Sequence, residues 1–286
     1  MKCYISIIMC LITFLNAQSK DLNTNFLEII RGKLNIKISS DTKKYYAEID
    51  YSDGSRRIDG WFDKQIIPLL LTIDNFQKKN DVKGNVAEIG VWQGRSFIPL
   101  MHLIRQNERA AAIDCFELYQ FNLDNSGGNL PQLFELFFNN VKTYCSNIDA
   151  LRVIKGNSSQ FSSQDYLNKM ENGMGFRIFS IDGCHEAQPT AIDIKNAYEC
   201  LVPGGVILID DYFNSCWPGV SEGINAFMKE NPNRLKPFFI GWNKIFFAQT
   251  EYANAYYETL KKLFAPKDLS IKKFFDVPTL IYDPKP

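Results

Sequence analysis

Asn85-Val86-Ala87-Glu88-Ile89-Gly90-Val91-Trp92-Gln93-Gly94-Arg95-Ser96 is the stretch on which the reading of this chain turns. Residues 86–89 are short, apolar, partly β-branched and closed by glycine, the pattern of a buried strand. Gly90 and Gly94 permit a tight turn and a close approach of ligand to backbone. From Arg95 onward Phe97, Ile98, Leu100, Met101, Leu103 and Ile104 recur at helical spacing and predict a helix. Strand, glycine turn and helix start together make a nucleotide-type site, with free N–H groups facing an anionic group. A glycine pair serves a purely structural turn equally well, so the rest of the chain has to decide.

Downstream, 110–116 is a second apolar strand with Asp114 near its end. Its distance from Glu88 suits a βαβ unit whose second strand ends in a ribose-binding acid, although a solvated strand-end Asp would read the same. A helix over 130–144 leads to a third strand at 151–154, ended by Gly156-Asn157-Ser158. A helix over 161–170 leads to a fourth strand, 177–181, that runs into Asp182-Gly183-Cys184-His185. The helix over 189–201 stops at Pro203-Gly204-Gly205. A fifth strand, 206–209, ends in Asp210-Asp211. A helix over 218–229 follows, and 235–240 and 244–248 flank Gly241-Trp242-Asn243 as a hairpin. A helix over 251–264 and an irregular tail, with a short strand at 280–282, close the chain. Upstream, 25–34 and 61–76 read as helices, and 45–50 as a short strand or ordered loop.

Alternating strands and helices imply a parallel sheet covered on both faces. Ligands of such sheets collect at the carboxyl ends of the strands. Gly90, Asp114, Asn157, Asp182 and Asp210 should therefore face one crevice.

Composition narrows the function. The 286 residues balance 32 Lys and Arg against 32 Asp and Glu, so no overall field favours nucleic acid or an anionic membrane. Residues 1–17 have a basic start, an apolar run and a small residue, Ala17, before a polar one, the layout of a secretory signal or of an apolar N-terminal segment. That run is too short for a membrane span. The cysteines beyond it are odd in number and make neither a disulfide framework nor a Cys-x-x-Cys metal pair. Asn157-Ser158-Ser159 matches a glycosylation acceptor, a tripeptide common by chance.

The ordered motifs, taken together, resemble the class I S-adenosylmethionine-dependent methyltransferases, and within them methyltransferase family 24. The residues that carry the likeness are Glu88 to Ser96, Cys115-Phe116-Glu117 through Asn122 to Gly127, Ser180-Ile181-Asp182-Gly183 with His185, and Pro203-Gly204-Gly205 through Asp210-Asp211-Tyr212. Trp217-Pro218-Gly219-Val220-Ser221-Glu222-Gly223 continues it. The resemblance implies an α/β, Rossmann-like, doubly wound sheet of seven strands, mostly parallel with an antiparallel last strand. It divides the chain into an N-terminal helical extension (18–80), a methyltransferase domain (81–250) and a C-terminal helix and tail (251–286). It assigns Glu88, Gly90 and Gly94 to the methionine end of S-adenosylmethionine, Asp114 to the ribose, and Asn157 with Ser158 to the adenine edge, with Ser96 and Asp182 as further cofactor contacts. Relatives often carry an acid where Asn157 stands; an amide can still meet the adenine amino group through its carbonyl.

Some related O-methyltransferases hold a divalent cation through acids at the positions of Asp182, Asp210 and Asp211. Three converging carboxylates repel unless a cation or proton sits among them, and oxygen ligands suit Mg²⁺. His185, at a reference pKa of about 6.5, could take a hydroxyl proton, or could instead orient a carboxylate. Asp182 and His185 are thus the candidate catalytic pair. The expectation is methyl transfer to a small-molecule acceptor, O-methylation assisted by metal, with no nucleic-acid or membrane partner and a homodimer as a further expectation. The alternatives are metal-independent transfer to another nucleophile, a dinucleotide-dependent oxidoreductase, disfavoured by the missing Gly-x-Gly-x-x-Gly spacing, and a silent binding module. A cytoplasmic location follows from where the cofactor is made; a secreted or lumenal one follows if 1–17 is a signal.

Overall fold

The computed structural model describes residues 27–50, 57–264 and 268–282. Its strands are β1 (Asn85–Ile89), β2 (Ala110–Asp114), β3 (Leu151–Lys155), β4 (Phe176–Ile181), β5 (Leu201–Asp210), β6 (Leu235–Gly241), β7 (Lys244–Gln249), β8 (Leu269–Phe274) and β9 (Val277–Tyr282). They form one sheet in the order β3-β2-β1-β4-β5-β7-β6-β9-β8. β1 to β5 pair in parallel, and β7 runs antiparallel to both β5 and β6. The helices are α1 (27–34), α2 (Ser40–Glu48), α3 (Ile66–Lys79), α4 (Phe97–Met101), α5 (Leu133–Tyr144), α6 (Ser163–Met170), α7 (Ala187–Glu199), α8 (Pro218–Glu230) and α9 (Thr250–Lys261).

Every residue of β1 is buried, because helices cover both faces of the sheet. Alternate side chains enter two separate cores. Val86, Ala110, Ala112, Ile178 and Leu208 pack with α1 to α5 and α9. Ala87, Ala111, Phe179, Ile207 and Ile209 pack with α6, α7 and α8. Both layers stop at the carboxyl ends of the parallel strands, and there the fold leaves a cleft.

The sheet has nine strands rather than the expected seven, and more than one of them is antiparallel. The expected seven lie in order, and the tail, expected to be irregular apart from a short strand at 280–282, adds a hairpin, with β9 parallel to β6 and β8 antiparallel to β9. Phe275 and Asp276 turn this hairpin with φ of +43° and +62°. Two consecutive positive φ values normally ask for Asn-Gly or Asp-Gly, so no turn motif marked it in the sequence. Residues 45–48, read as strand or loop, belong to α2. Ser39 caps that helix by accepting the Thr42 amide at 3.0 Å, and Thr42, Tyr45 and Tyr46 are its buried face. The 1–17 segment and its Ala17 cleavage reading lie outside the described residues.

Candidate active site

A cavity of about 750 Å³ opens at the carboxyl ends of β1, β2, β4 and β5, a size typical of small-molecule sites. The loop after β1 forms its floor. Gly90 has φ +80°, and a Cβ there would stand 1.7 Å from the carbonyl oxygen of Asp182. Only glycine lets the ends of β1 and β4 close so tightly. Gly94, φ +91°, packs instead against Phe137 of α5 and does not line the cavity. Glu88 also lies behind the wall: Ser96 Oγ and Ser180 Oγ each donate to it at 2.9 Å. Burial pushes its pKa up to about 8 against the pull of the Lys244 charge, so it orients Ser96, which does face the cavity.

Asp114 stands at the rim, held by backbone. The Trp92 amide donates to Oδ2 at 3.0 Å and the Phe116 amide to Oδ1 at 2.7 Å. Trp92 and Phe116 both sit at left-handed φ, +47° and +48°, and such strain collects at binding sites. Burial raises the Asp114 pKa against these amide bonds. An ionised carboxylate still has lone pairs for a vicinal diol. Asn157 faces the same cavity, but its carbonyl oxygen accepts the Ser159 amide at 3.0 Å and the Ser159 hydroxyl at 2.8 Å. Its NH₂ is therefore the group left for a ligand, not the carbonyl expected from the sequence. Ser158 Oγ donates to buried Asp193 at 3.0 Å.

The acids at the strand ends meet as expected, with cations among them that the sequence did not announce. Lys244, the first residue of β7, is in register with Asp210 and ion-pairs with its Oδ2; its ammonium lies 4.0 Å from Asp182 Oδ2. Burial opposes that charge, but Asp210, Asp182 and Glu88 outweigh it and the ammonium is retained. Asp210 Oδ1 accepts the Asp211 amide at 3.0 Å. Asp211, φ +64°, accepts from the side-chain amides of Asn214 and Asn243 at 2.7 and 2.6 Å through Oδ1, and its Oδ2 is 3.2 Å from His185 Nε2. Among the described residues Asp182 makes only long ion contacts, with His185 Nε2 at 3.9 Å and with Lys244. His185 Nδ1 meets Asp124 Oδ2 at 2.7 Å, and its ring stacks on Trp217 at 4.3 Å. Burial works against a charged ring here, but hydrogen bonds to Asp124, Asp182 and Asp211 prevail and push its pKa up to about 11. That shift favours the protonated ring over the neutral one.

These contacts do not fit the Mg²⁺ site expected on Asp182, Asp210 and Asp211. Both oxygens of Asp210 are committed, one to a buried ammonium. The carboxylates that remain converge with an imidazole: Asp182, His185 and Asp211 place ligand atoms within 4.8 Å of one another. An ion there would meet two carboxylates and an imidazole, not the three carboxylates expected from the sequence. The lining is richer in groups for an organic ligand: Asp114, Ser96 and Asp182 present acceptors to the cavity and Asn157 a donor.

The far wall comes from 59–66, ahead of and at the start of α3. Arg95, buried beside Ser96, fastens it: the guanidinium donates to the carbonyls of Ile49, Ile58 and Phe62 at 3.1, 3.0 and 3.4 Å, and ion-pairs with Asp50. Trp61 and Leu123 line the cavity while 69% and 64% exposed, so its mouth is apolar.

Residues 87–212 match a family model, that of a methyltransferase domain, family 24. This span holds Gly90, Asp114, Asn157, Asp182, Asp210 and Asp211 and ends before Lys244. Among solved structures, the O-methyltransferase NovP is similar at a TM-score of 0.54, with 14% identity over 82% of this chain and 99% of its own. An SAH-bound methyltransferase of Podospora anserina, PaMTH1, is similar at a TM-score of 0.50, with 14% identity over 81% of this chain and 95% of its own. At such identities the likeness is one of fold. No curated protein matches the chain.

Proposed function

We propose that this chain, whose central segment matches a methyltransferase family, is an S-adenosylmethionine-dependent methyltransferase that acts on a hydroxyl of a small molecule. The observation that carries the reading is convergence: Gly90, Asp114, Asn157 and Asp182 come from four separate strand ends and line one cavity within the matched segment. When bound, the cofactor supplies an electrophilic methyl on a sulphonium.

The chain's own residues bind, orient and take a proton. Asp114 accepts from the ribose hydroxyls, and Asn157 donates to the adenine. Ser96 and Asp182 receive the amino-acid end, with buried Glu88 fixing Ser96 from behind. Trp61 and Leu123 press on the apolar body of the acceptor at the mouth. The acceptor hydroxyl donates to Asp182, whose contacts with His185 and Lys244 are long. Methylation makes an ether oxygen that sheds its proton readily, so a carboxylate can take it and positioning does most of the work. His185, fixed by Asp124 and Trp217, holds Asp211 and stands beside Asp182.

The test is turnover. The full chain is incubated with methyl-labelled cofactor and a panel of hydroxylated aryl and alkyl acceptors, and label in product is counted. Label on oxygen, lost in Asp182→Asn, supports the reading; label only on nitrogen or sulphur overturns its O-methyl part.

A further inference from the structure

We infer that Lys244 is the resident cation of this site, occupying the position a divalent ion would need, so that the cleft works without one. The inference rests on the proposed methyl transfer only for its activity readout; its ion-binding readout stands alone.

The turn between β6 and β7 makes the arrangement. Trp242 and Asn243 occupy it at φ +49° and +66°, which reverses the chain in two residues at the carboxyl end of β5. Lys244 therefore lands opposite Asp210 in the antiparallel pair. The lysine is 3% exposed, ion-paired with Asp210 and 4.0 Å from Asp182. From the same turn, Asn243 donates its side-chain amide to Asp211 Oδ1 at 2.6 Å and accepts the Asp211 amide on its carbonyl at 3.1 Å. One turn thus meets each of the three carboxylates that a metal would have to share.

Electrostatics agree. Three converging carboxylates need a counter-charge, and a buried ammonium supplies it from within the sheet. A divalent ion bridging them would have to displace Lys244 from Asp210 and the amides from Asp211, leaving a lysine buried without its partner. That displacement is costly. Lys244 is a positioning residue here: it fixes Asp210 and stands 4.0 Å from Asp182 at the cavity wall.

The experiment titrates Mn²⁺ and Mg²⁺ into the full chain by calorimetry, and repeats it with Lys244→Met and Lys244→Arg. The wild type is expected to show no saturable binding at millimolar ion, and turnover that survives EDTA. Lys244→Met should lose roughly tenfold in kcat and gain one-to-one Mn²⁺ binding, while Lys244→Arg stays ion-independent. Saturable one-to-one binding by the wild type, turnover abolished by EDTA, or a folded Lys244→Met that binds no ion would each overturn the inference. If Lys244→Met does not fold, the wild-type titration decides by itself, because it needs neither acceptor nor cofactor.

Discussion

Nδ1 of His185 lies 2.7 Å from Oδ2 of Asp124, and the same oxygen accepts the backbone amide of His185, also at 2.7 Å. The pair ties the loop after β2 to the loop after β4 across the cleft. It also fixes the ring so that Nε2 faces Asp211 and Asp182.

Stability should follow that pair with pH. The pKa of His185 rises from 6.5 unfolded to about 11 folded, so its contribution is complete below pH 6.5 and is lost as pH climbs toward 11. The Asp124 pKa is lowered by its bonds from His185 and Ser126, against burial, so its share is lost as acid takes the pH below the ordinary carboxylate range. Denaturant unfolding of wild type and His185→Gln should give curves that differ most near pH 6 and converge in alkali. A constant difference across that range contradicts the pairing.

Glu88 should act in the opposite sense to a surface acid. Its pKa rises from 4.5 to about 8, so the folded state holds the proton more tightly and stability declines as pH rises between these values. Glu88→Gln does not titrate, and its melting temperature relative to wild type should increase from pH 5 to pH 8 and then level off. A flat difference would place the charge elsewhere.

Gly90→Ala should be severe. The new methyl would overlap the Asp182 carbonyl, 1.7 Å away, at a φ of +80° that alanine avoids. A loss of about 3 kcal/mol or more is expected by chemical denaturation. Near-wild-type stability would mean that β1 and β4 do not approach as described.

Arg95→Met should free the far wall. It orphans the carbonyls of Ile49, Ile58 and Phe62 and leaves Asp50 without its guanidinium partner. The expected cost is about 2–4 kcal/mol, with faster proteolysis between 49 and 65 and a KM for acceptor that rises more than that for cofactor. Equal effects on both substrates would separate this wall from acceptor binding.

Much of this fold was legible because its strands are short apolar runs punctuated by Gly90, Gly156 and Gly204, and strand ends then follow by rule. Asp114, Asp182 and Asp210 were readable for the same reason: each closes a strand. Lys244 was not, since its place depends on antiparallel register with Asp210, a non-local fact. Asp124 comes from a loop whose path only tertiary packing decides. Of the β8–β9 hairpin only the strand at 280–282 is legible, because Phe275-Asp276 lacks the Asn-Gly or Asp-Gly pair that marks a two-residue turn. α2 was misread because its tyrosines look strand-like, although burial of Thr42, Tyr45 and Tyr46 has helical spacing.

The central claim is that one cleft at the strand ends grips S-adenosylmethionine through Asp114. Isothermal calorimetry of the cofactor and its demethylated product against wild type and Asp114→Ala tests it most directly. We expect one-to-one binding by the wild type and an affinity lower by about tenfold to a hundredfold in the variant, the loss of hydrogen bonds to a charged acceptor. No binding by the wild type, or undiminished affinity in Asp114→Ala, would contradict the account.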